Sequence, residues 1–315
     1  MRLSTSFAAL AALATAASAQ IQGFNYGATN NDNSCRNYDN FHSQFTRAKN
    51  LAQGGFTSAR LYTSIQCGSD NAPIEAIKAA IDTKTNLLLG MWASAGQGTI
   101  DNEIIALKQA IKNWGPQLKT RVKGISVGSE DLYRSSAQGQ QNNAGVGATP
   151  AQINKYIKQV RAAIKGTALA GVPVGHVDTW TAWTLSTTKS VINNCDFLGH
   201  NGFPYFETTK PNAIGAAVAN FNSGVAQTEG VAAGKPVWIT ETGWPTKGPK
   251  SGNAVASVAN AQKYWRSVGC NLLFGKRNAF WYTLYDANSA QTELSFSVVN
   301  TDVNAGDKFD LKCPA

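Results

Sequence analysis

Short apolar or β-branched runs alternate with longer segments whose apolar residues recur every three or four positions, about eight times after Ile21. The strand-like runs cover 23–27, 58–62, 86–92, 122–128, 174–177, 197–201, 237–240 and 279–285. Between them, Ile100, Ile104, Leu107, Ile111 and Trp114 form a helical stripe, and Ile153, Ile157, Val160 and Ile164 form another. The second opens with Thr149-Pro150-Ala151-Gln152, a capping box with proline at the first helical position, and Gly166 is a plausible stop. Ile74, Ile77 and Ile81 mark a third helix, and the alanine-rich segments 212–234 and 251–269 also read as helices. Strands separated by helices imply parallel pairing through right-handed crossovers. Eight such units predict an α/β fold, a closed (β/α)8 TIM barrel in a single domain. An open doubly wound sheet satisfies the same alternation.

Residues 1–19 are set apart from this pattern. Arg2, the apolar run 8–17 and Ala17-Ser18-Ala19 read as a signal peptide with its cleavage site, leaving 20–315 as the domain. No apolar run reaches the ~20 residues of a membrane span. The expected location is outside the cell. The formal charge of +9 falls to +8 without Arg2, and lysines such as Lys155, Lys158 and Lys165 lie within helix-like segments, which fits a solvated face. Electrostatic retention on an acidic matrix is the functional alternative. Without a clustered Arg/Lys run, no nucleic-acid partner is expected. No sequence feature calls for an oligomer, and a monomer is expected.

Export permits disulfides. The cysteines are Cys35, Cys67, Cys195, Cys270 and Cys313, an odd number whose pairing sequence alone does not fix. By position, Cys35–Cys67 would link neighbouring loops, Cys270–Cys313 would pin the tail, and Cys195 would be a buried thiol. His42, His176 and His200 show no metal-ligand spacing, and no glycine-rich phosphate loop precedes a helix, so neither a metal nor a cofactor is expected. Gly124-Ile125-Ser126-Val127-Gly128 matches a nucleophile elbow in letters only. Its serine sits between β-branched residues in a run that continues to Glu130, as a small inward-facing strand residue would.

Two strand-like runs end in a carboxylate. Val-Trp-Ile-Thr at 237–240 delivers Glu241 before breaking at Gly243 and Pro245, and 122–128 delivers Glu130 at the end of the fourth strand. In a barrel both reach the C-terminal rim, where catalytic residues gather. Tyr26, Tyr62, Trp92, Trp180, Phe203, Tyr205, Trp244, Tyr282 and Tyr285 fall at or just after strand ends. With Asp178, Asn201 and Lys247 interspersed, they suit sugar rings, whose faces are apolar and whose edges are hydroxyls. His200 stands beside Asn201 and could face such a ligand or serve the structure.

The chain resembles glycoside hydrolase family 17, in particular its fungal branch of endo-β-1,3-glucanases and β-1,3-glucanosyltransferases. The resemblance rests on Phe24-Asn25-Tyr26-Gly27, Ala59-Arg60-Leu61-Tyr62, Val127-Gly128-Ser129-Glu130, Val177-Asp178-Thr179-Trp180, His200-Asn201-Gly202-Phe203-Pro204-Tyr205-Phe206, Ile239-Thr240-Glu241-Thr242-Gly243-Trp244-Pro245 and Phe280-Trp281-Tyr282, in that order. It implies a (β/α)8 barrel with Glu130 as general acid/base and Glu241 as nucleophile of a retaining reaction on β-1,3-glucan, in the remodelling of cell walls. Ser129 stands where many relatives carry asparagine. Tyr205 or Tyr282 is expected to orient Glu241, and Trp244 with the aromatics after the sixth strand to offer acceptor platforms. The alternative, a non-catalytic glucan-binding wall protein on the same barrel, would be marked by a missing carboxylate, and both carboxylates are present.

Overall fold

The computed structural model describes residues 20–288, 293–301 and 306–314, so the expected signal peptide lies outside the described residues. The strands are β1 (Gln22–Tyr26), β2 (Ser58–Leu61), β3 (Asn86–Met91), β4 (Val122–Ser129), β5 (Val174–Thr179), β6 (Leu198–Asn201), β7 (Val237–Thr242) and β8 (Ala279–Trp281). All pair in parallel in chain order, and β8 returns to β1 with Gln22 opposite Ala279. The sheet is therefore a closed (β/α)8 barrel with no free edge, which decides against the open sheet. Strands covered on both faces must be apolar throughout. Leu87, Leu88, Leu89, Gly90 and Met91 of β3 are all buried.

Two apolar regions form. The larger lies between sheet and helices, while Leu88, Phe197, Trp238 and Phe280 form a separate cluster, with Phe197 stacked on Trp238 at 4.5 Å. A Cβ on Gly124 would face Leu88, Trp238 and Phe197 within 3.4 Å, so glycine on β4 makes room for this plug. Ser126 is likewise buried within β4, its hydroxyl donating to Leu89 O, as expected of an inward strand residue.

The helix Pro150–Ile164 carries the predicted reciprocal cap between Thr149 and Gln152. Other boundaries differ for local reasons. Gln97–Arg121 outruns its stripe and breaks from helical geometry at Trp114, two residues before Pro116, which lacks a backbone donor. The segment 251–269 becomes a Ser257-capped helix, Val258–Tyr264, running into a π-helix, Trp265–Leu273. The segment 135–147, which reads as one loop, contains the short helix Ala137–Gln141, capped by Ser136. β8 ends at Trp281 rather than at 285, although Thr283, Leu284 and Tyr285 stay buried. Bridges join Cys35 to Cys67 and Cys270 to Cys313, and Cys195 is a buried thiol.

Candidate active site

The two strands that carry the glutamates are both irregular just before them. Along β7, His200 pairs with Ile239 but Asn201 pairs with Glu241, so Thr240 is an extra residue. Along β4, Ser126 pairs with Gly175 but Ser129 with Val177, with Gly128 in between at φ 83°. Such bulges bend a strand and re-aim the next side chain.

Glu241 is 7% exposed. Its Oε1 accepts from the Tyr62 hydroxyl at 2.9 Å and forms an ion pair with Arg60. Arg60 comes up from β2 inside the barrel and is fully buried. Its guanidinium also donates to Asn25 Oδ1 at 2.9 Å and Ser129 Oγ at 3.0 Å, and it lies 4.6 Å over the Tyr62 ring. Ser129 thus serves the cation that holds Glu241.

Glu130 follows β4 in a left-handed conformation, φ 60° and ψ 22°, which is costly for a side chain with a Cβ. The surrounding bonds hold it there. Its N–H donates to Val177 O at 2.9 Å, and the carboxylate of Asp178 accepts from the next turn, from Leu132 N at 2.9 Å and Tyr133 N at 3.3 Å. His176 joins Asp178 Oδ2 to Val127 O, and Asp131 takes Ser129 N and the Ser94 hydroxyl. Glu130 Oε1 accepts from Asn201 Nδ2 at 3.1 Å, and Oε2 lies 3.7 Å from Arg134. The Thr240 hydroxyl donates to Asn201 Oδ1 at 2.8 Å, which fixes the amide so that its NH2 faces Glu130. Burial first, and then the nearby Glu241 charge, push Glu130 up to about 7, against the pull of Asn201 and Arg134.

Two adjoining hollows meet at Glu130 and Arg134. The first, about 660 Å³, is lined by Asn25, Tyr62, Trp92, Ser129, Glu241 and Tyr282 among others. The second, about 770 Å³, is lined by Tyr133, Trp180, Asn201, Phe203 and Phe206 among others. The cleft so formed has aromatic walls and contains two differently held carboxyl groups.

The BtgE/BtgC glycoside hydrolase domain matches residues 23–298. The chain belongs to that family. It is a glycoside hydrolase or transglycosylase. A probable glucan endo-1,3-beta-glucosidase of Aspergillus fumigatus is 52% identical over 96% of this chain and 68% of its own length. The glucan 1,3-beta-glucosidase of Saccharomyces cerevisiae is 24% identical over 99% of both chains. A glycoside hydrolase family 17 β-1,3-glucanosyltransferase from Rhizomucor miehei superposes with a TM-score of 0.74 at 28% identity, over 92% of this chain and 98% of that one. An active-site mutant of that enzyme, in complex with laminaritriose, gives 0.72 at 27% identity, with the same coverage.

Within this BtgE/BtgC domain, the structure gathers Glu130, Glu241, Tyr62, Trp92, Ser129, Trp180, Asn201, Phe203 and Tyr282 at the cleft, as sequence position suggests. Five expected ligand contacts line neither hollow. Asp178 is fully buried beneath Glu130, its oxygens occupied by backbone N–H groups and His176. Tyr26 packs edge-on against Phe45 in the core. Tyr205 donates to Pro249 O rather than to Glu241, which Tyr62 serves instead. Trp244 is 2% exposed, its indole N–H donating to Val255 O at 3.0 Å, so it offers no face to the cleft, and the second hollow is walled instead by Trp180 and the aromatics after β6. Lys247 pairs through its backbone with Ser295. His200 faces away from the cleft. Burial holds it down at about 3, a neutral imidazole bonded to the Thr228 hydroxyl. Arg60 received no role from the sequence, although a lone arginine inside the buried run Ser58–Leu61 was a signal for one.

Proposed function

We propose that this protein is a retaining β-1,3-glucan-active enzyme, secreted and acting in the cell wall. It cleaves the chain through a covalent glucosyl ester and passes it to another glucan or to water. The observation that carries this reading is the unequal pair of carboxyls in one cleft. Glu241, fixed by Arg60 and Tyr62, is the nucleophile; Glu130, raised to about 7 and so largely protonated in mild acid, is the acid/base.

Glu130 lines both hollows and Glu241 only the first. The scissile oxygen therefore lies at the junction, the donor sugars in the first hollow and the leaving chain in the second. Glu130 gives its proton to that oxygen as Glu241 attacks the anomeric carbon. Once Glu241 is an ester its charge is gone, and the influence that raised Glu130 goes with it. Glu130 then ionises more readily and takes a proton from the acceptor hydroxyl, which displaces Glu241.

Transfer requires an acceptor sugar to outlast water in the second hollow. Trp180, Phe203 and the half-exposed Phe206 line this hollow and offer aromatic surface to a sugar, with Trp180 held by its indole N–H donating to Glu207 at 3.0 Å and Lys210 lying 5.2 Å from its ring. The relatives' named activities, endo-1,3-glucosidase and β-1,3-glucanosyltransferase, support the same substrate and are compatible with both outcomes. The test is product analysis on a reduced laminari-oligosaccharide at high concentration. Products longer than the donor, with retained β configuration by NMR, are expected. Absence of longer products removes the transferase role, and inverted configuration removes the two-step scheme.

A further inference from the structure

Glu103 takes no part in the chemistry above, yet it borders the first hollow. It projects from the helix Gln97–Arg121, is fully buried, and shares the helix's inner side with Ile100, Ala106 and Leu107. A carboxyl in such a place is strongly disfavoured unless its oxygens are satisfied. Oε1 accepts from the Thr63 hydroxyl and from Trp92 N at 3.1 Å, and Oε2 accepts from Ser64 N at 2.7 Å. Two of these donors are backbone N–H groups that can only donate, so the three together are satisfied by the ionised carboxylate and oppose the burial that pushes Glu103 up to about 7.

The donors come from two loops that both serve the cleft. Thr63 and Ser64 follow Tyr62, whose hydroxyl reaches Glu241, and Trp92 forms the rim of the first hollow at 40% exposure. The loop after β2 is also pressed onto β3. The Ser64 hydroxyl donates to Gly90 O at 2.9 Å, and a Cβ on Gly90 would meet Tyr62 Cα at 2.6 Å. We propose that Glu103 is a positioning residue of the donor side: one carboxylate grips the loops after β2 and β3 together, holding Tyr62 against Glu241 and Trp92 at the rim. A glutamine of the same size has one acceptor oxygen and must turn its NH2 toward at least one of these donors, so it cannot satisfy all three.

The kinetic half of the test rests on the glucanase reading; the structural half does not. In a crystal structure of Glu103→Gln, the Tyr62 hydroxyl is expected to lie beyond hydrogen-bonding distance of Glu241. An unmoved Tyr62 and Trp92 overturn the proposal whether or not the protein acts on glucan. On a laminari-oligosaccharide, Glu103→Gln is expected to lower kcat about tenfold or more, since a ~1 Å misplacement can cost 10²-fold. In a Tyr62→Phe background the same change should cost much less, because the contact it protects is already gone. Full additivity of the two losses, or an unchanged kcat, overturns the proposal. If Glu103→Gln unfolds, Thr63→Val, which removes one of the three donors, is put through the same structure and cycle. Inactive wild-type protein would instead count against the glucanase reading and leave the structural result to decide on Glu103.

Discussion

Glu130 and Glu241 are the same residue type, each aimed by an irregular strand into one cleft, but their partners differ. Glu241 lies within β7 against a buried cation and a phenol. Glu130 lies beyond β4 on a left-handed residue, with a neutral amide on one oxygen and Arg134 3.7 Å from the other. A fixed positive charge suits a carboxylate that must attack. Burial that outweighs a looser cation, Arg134 at 3.7 Å, suits a carboxyl that must arrive protonated. The two are also coupled, because the charge on Glu241 helps to raise Glu130. The assignment of roles thus comes from neighbours on other strands, Arg60 of β2 and Asn201 of β6, and not from either glutamate's own segment.

The largest effects should come from removing the carboxyls, and the leaving group separates them. Glu241→Gln is expected to abolish turnover by orders of magnitude on every substrate. Glu130→Gln should cost roughly 10²–10⁴-fold on a glucan, but far less on an activated aryl glycoside, whose leaving group needs no proton. Initial rates of both variants on both substrates check this. Equal losses on the aryl glycoside would break the contrast between them.

Next in size is the loss of the buried cation. Arg60→Met leaves Glu241 facing the barrel interior without its ion pair, and removing one partner of a buried pair costs about 3–5 kcal/mol. Urea unfolding should register that loss, and Glu241→Gln in the same chain should restore much of it. Glu130 responds in the opposite direction. Its folded value of about 7 stands above the ordinary 4.5, so its stabilising contribution is complete below 4.5 and is lost as pH rises through 7. Glu130→Gln, which carries no charge, should therefore melt a few degrees higher than wild type at pH 8 and gain little at pH 4. The acid/base role proposed for Glu130 thus comes with a fold that is weaker at the pH where it ionises.

The barrel was legible because eight strand–helix alternations leave few alternatives, and both glutamates were legible because each closes a run of strand residues before a break. The partners were harder to read. Arg60 and Tyr62 sit roughly 180 positions from Glu241 in the chain, and only barrel closure brings them together. Asp178 follows a strand-like run as a ligand contact would, but three backbone N–H groups and His176 claim it. Aromatics at strand ends point into the cleft or back into the helices according to the pleat, and a bulge shifts that alternation. Tyr62 and Tyr282 therefore reach the cleft while Tyr26 and Trp244 pack inward.

Asn201 gives the smallest expected effect and the sharpest test of the comparison. Its NH2 favours the charged form of Glu130, since it donates to a carboxylate oxygen. Asn201→Ala removes that donor and leaves burial and the Glu241 charge opposed mainly by Arg134. Glu130 should then hold its proton to higher pH. The alkaline limb of kcat/KM, which reports the acid in the free enzyme, should lie near 7 in wild type and move upward in the variant. A hydrogen bond worth about 0.5–1.5 kcal/mol net limits that movement to roughly one pH unit. An upward shift with a lower plateau is the result expected if Asn201 both tunes and aims Glu130. A limb that stays in place would mean that a group other than Glu130 sets it, and the contrast with Glu241 would then rest on geometry alone.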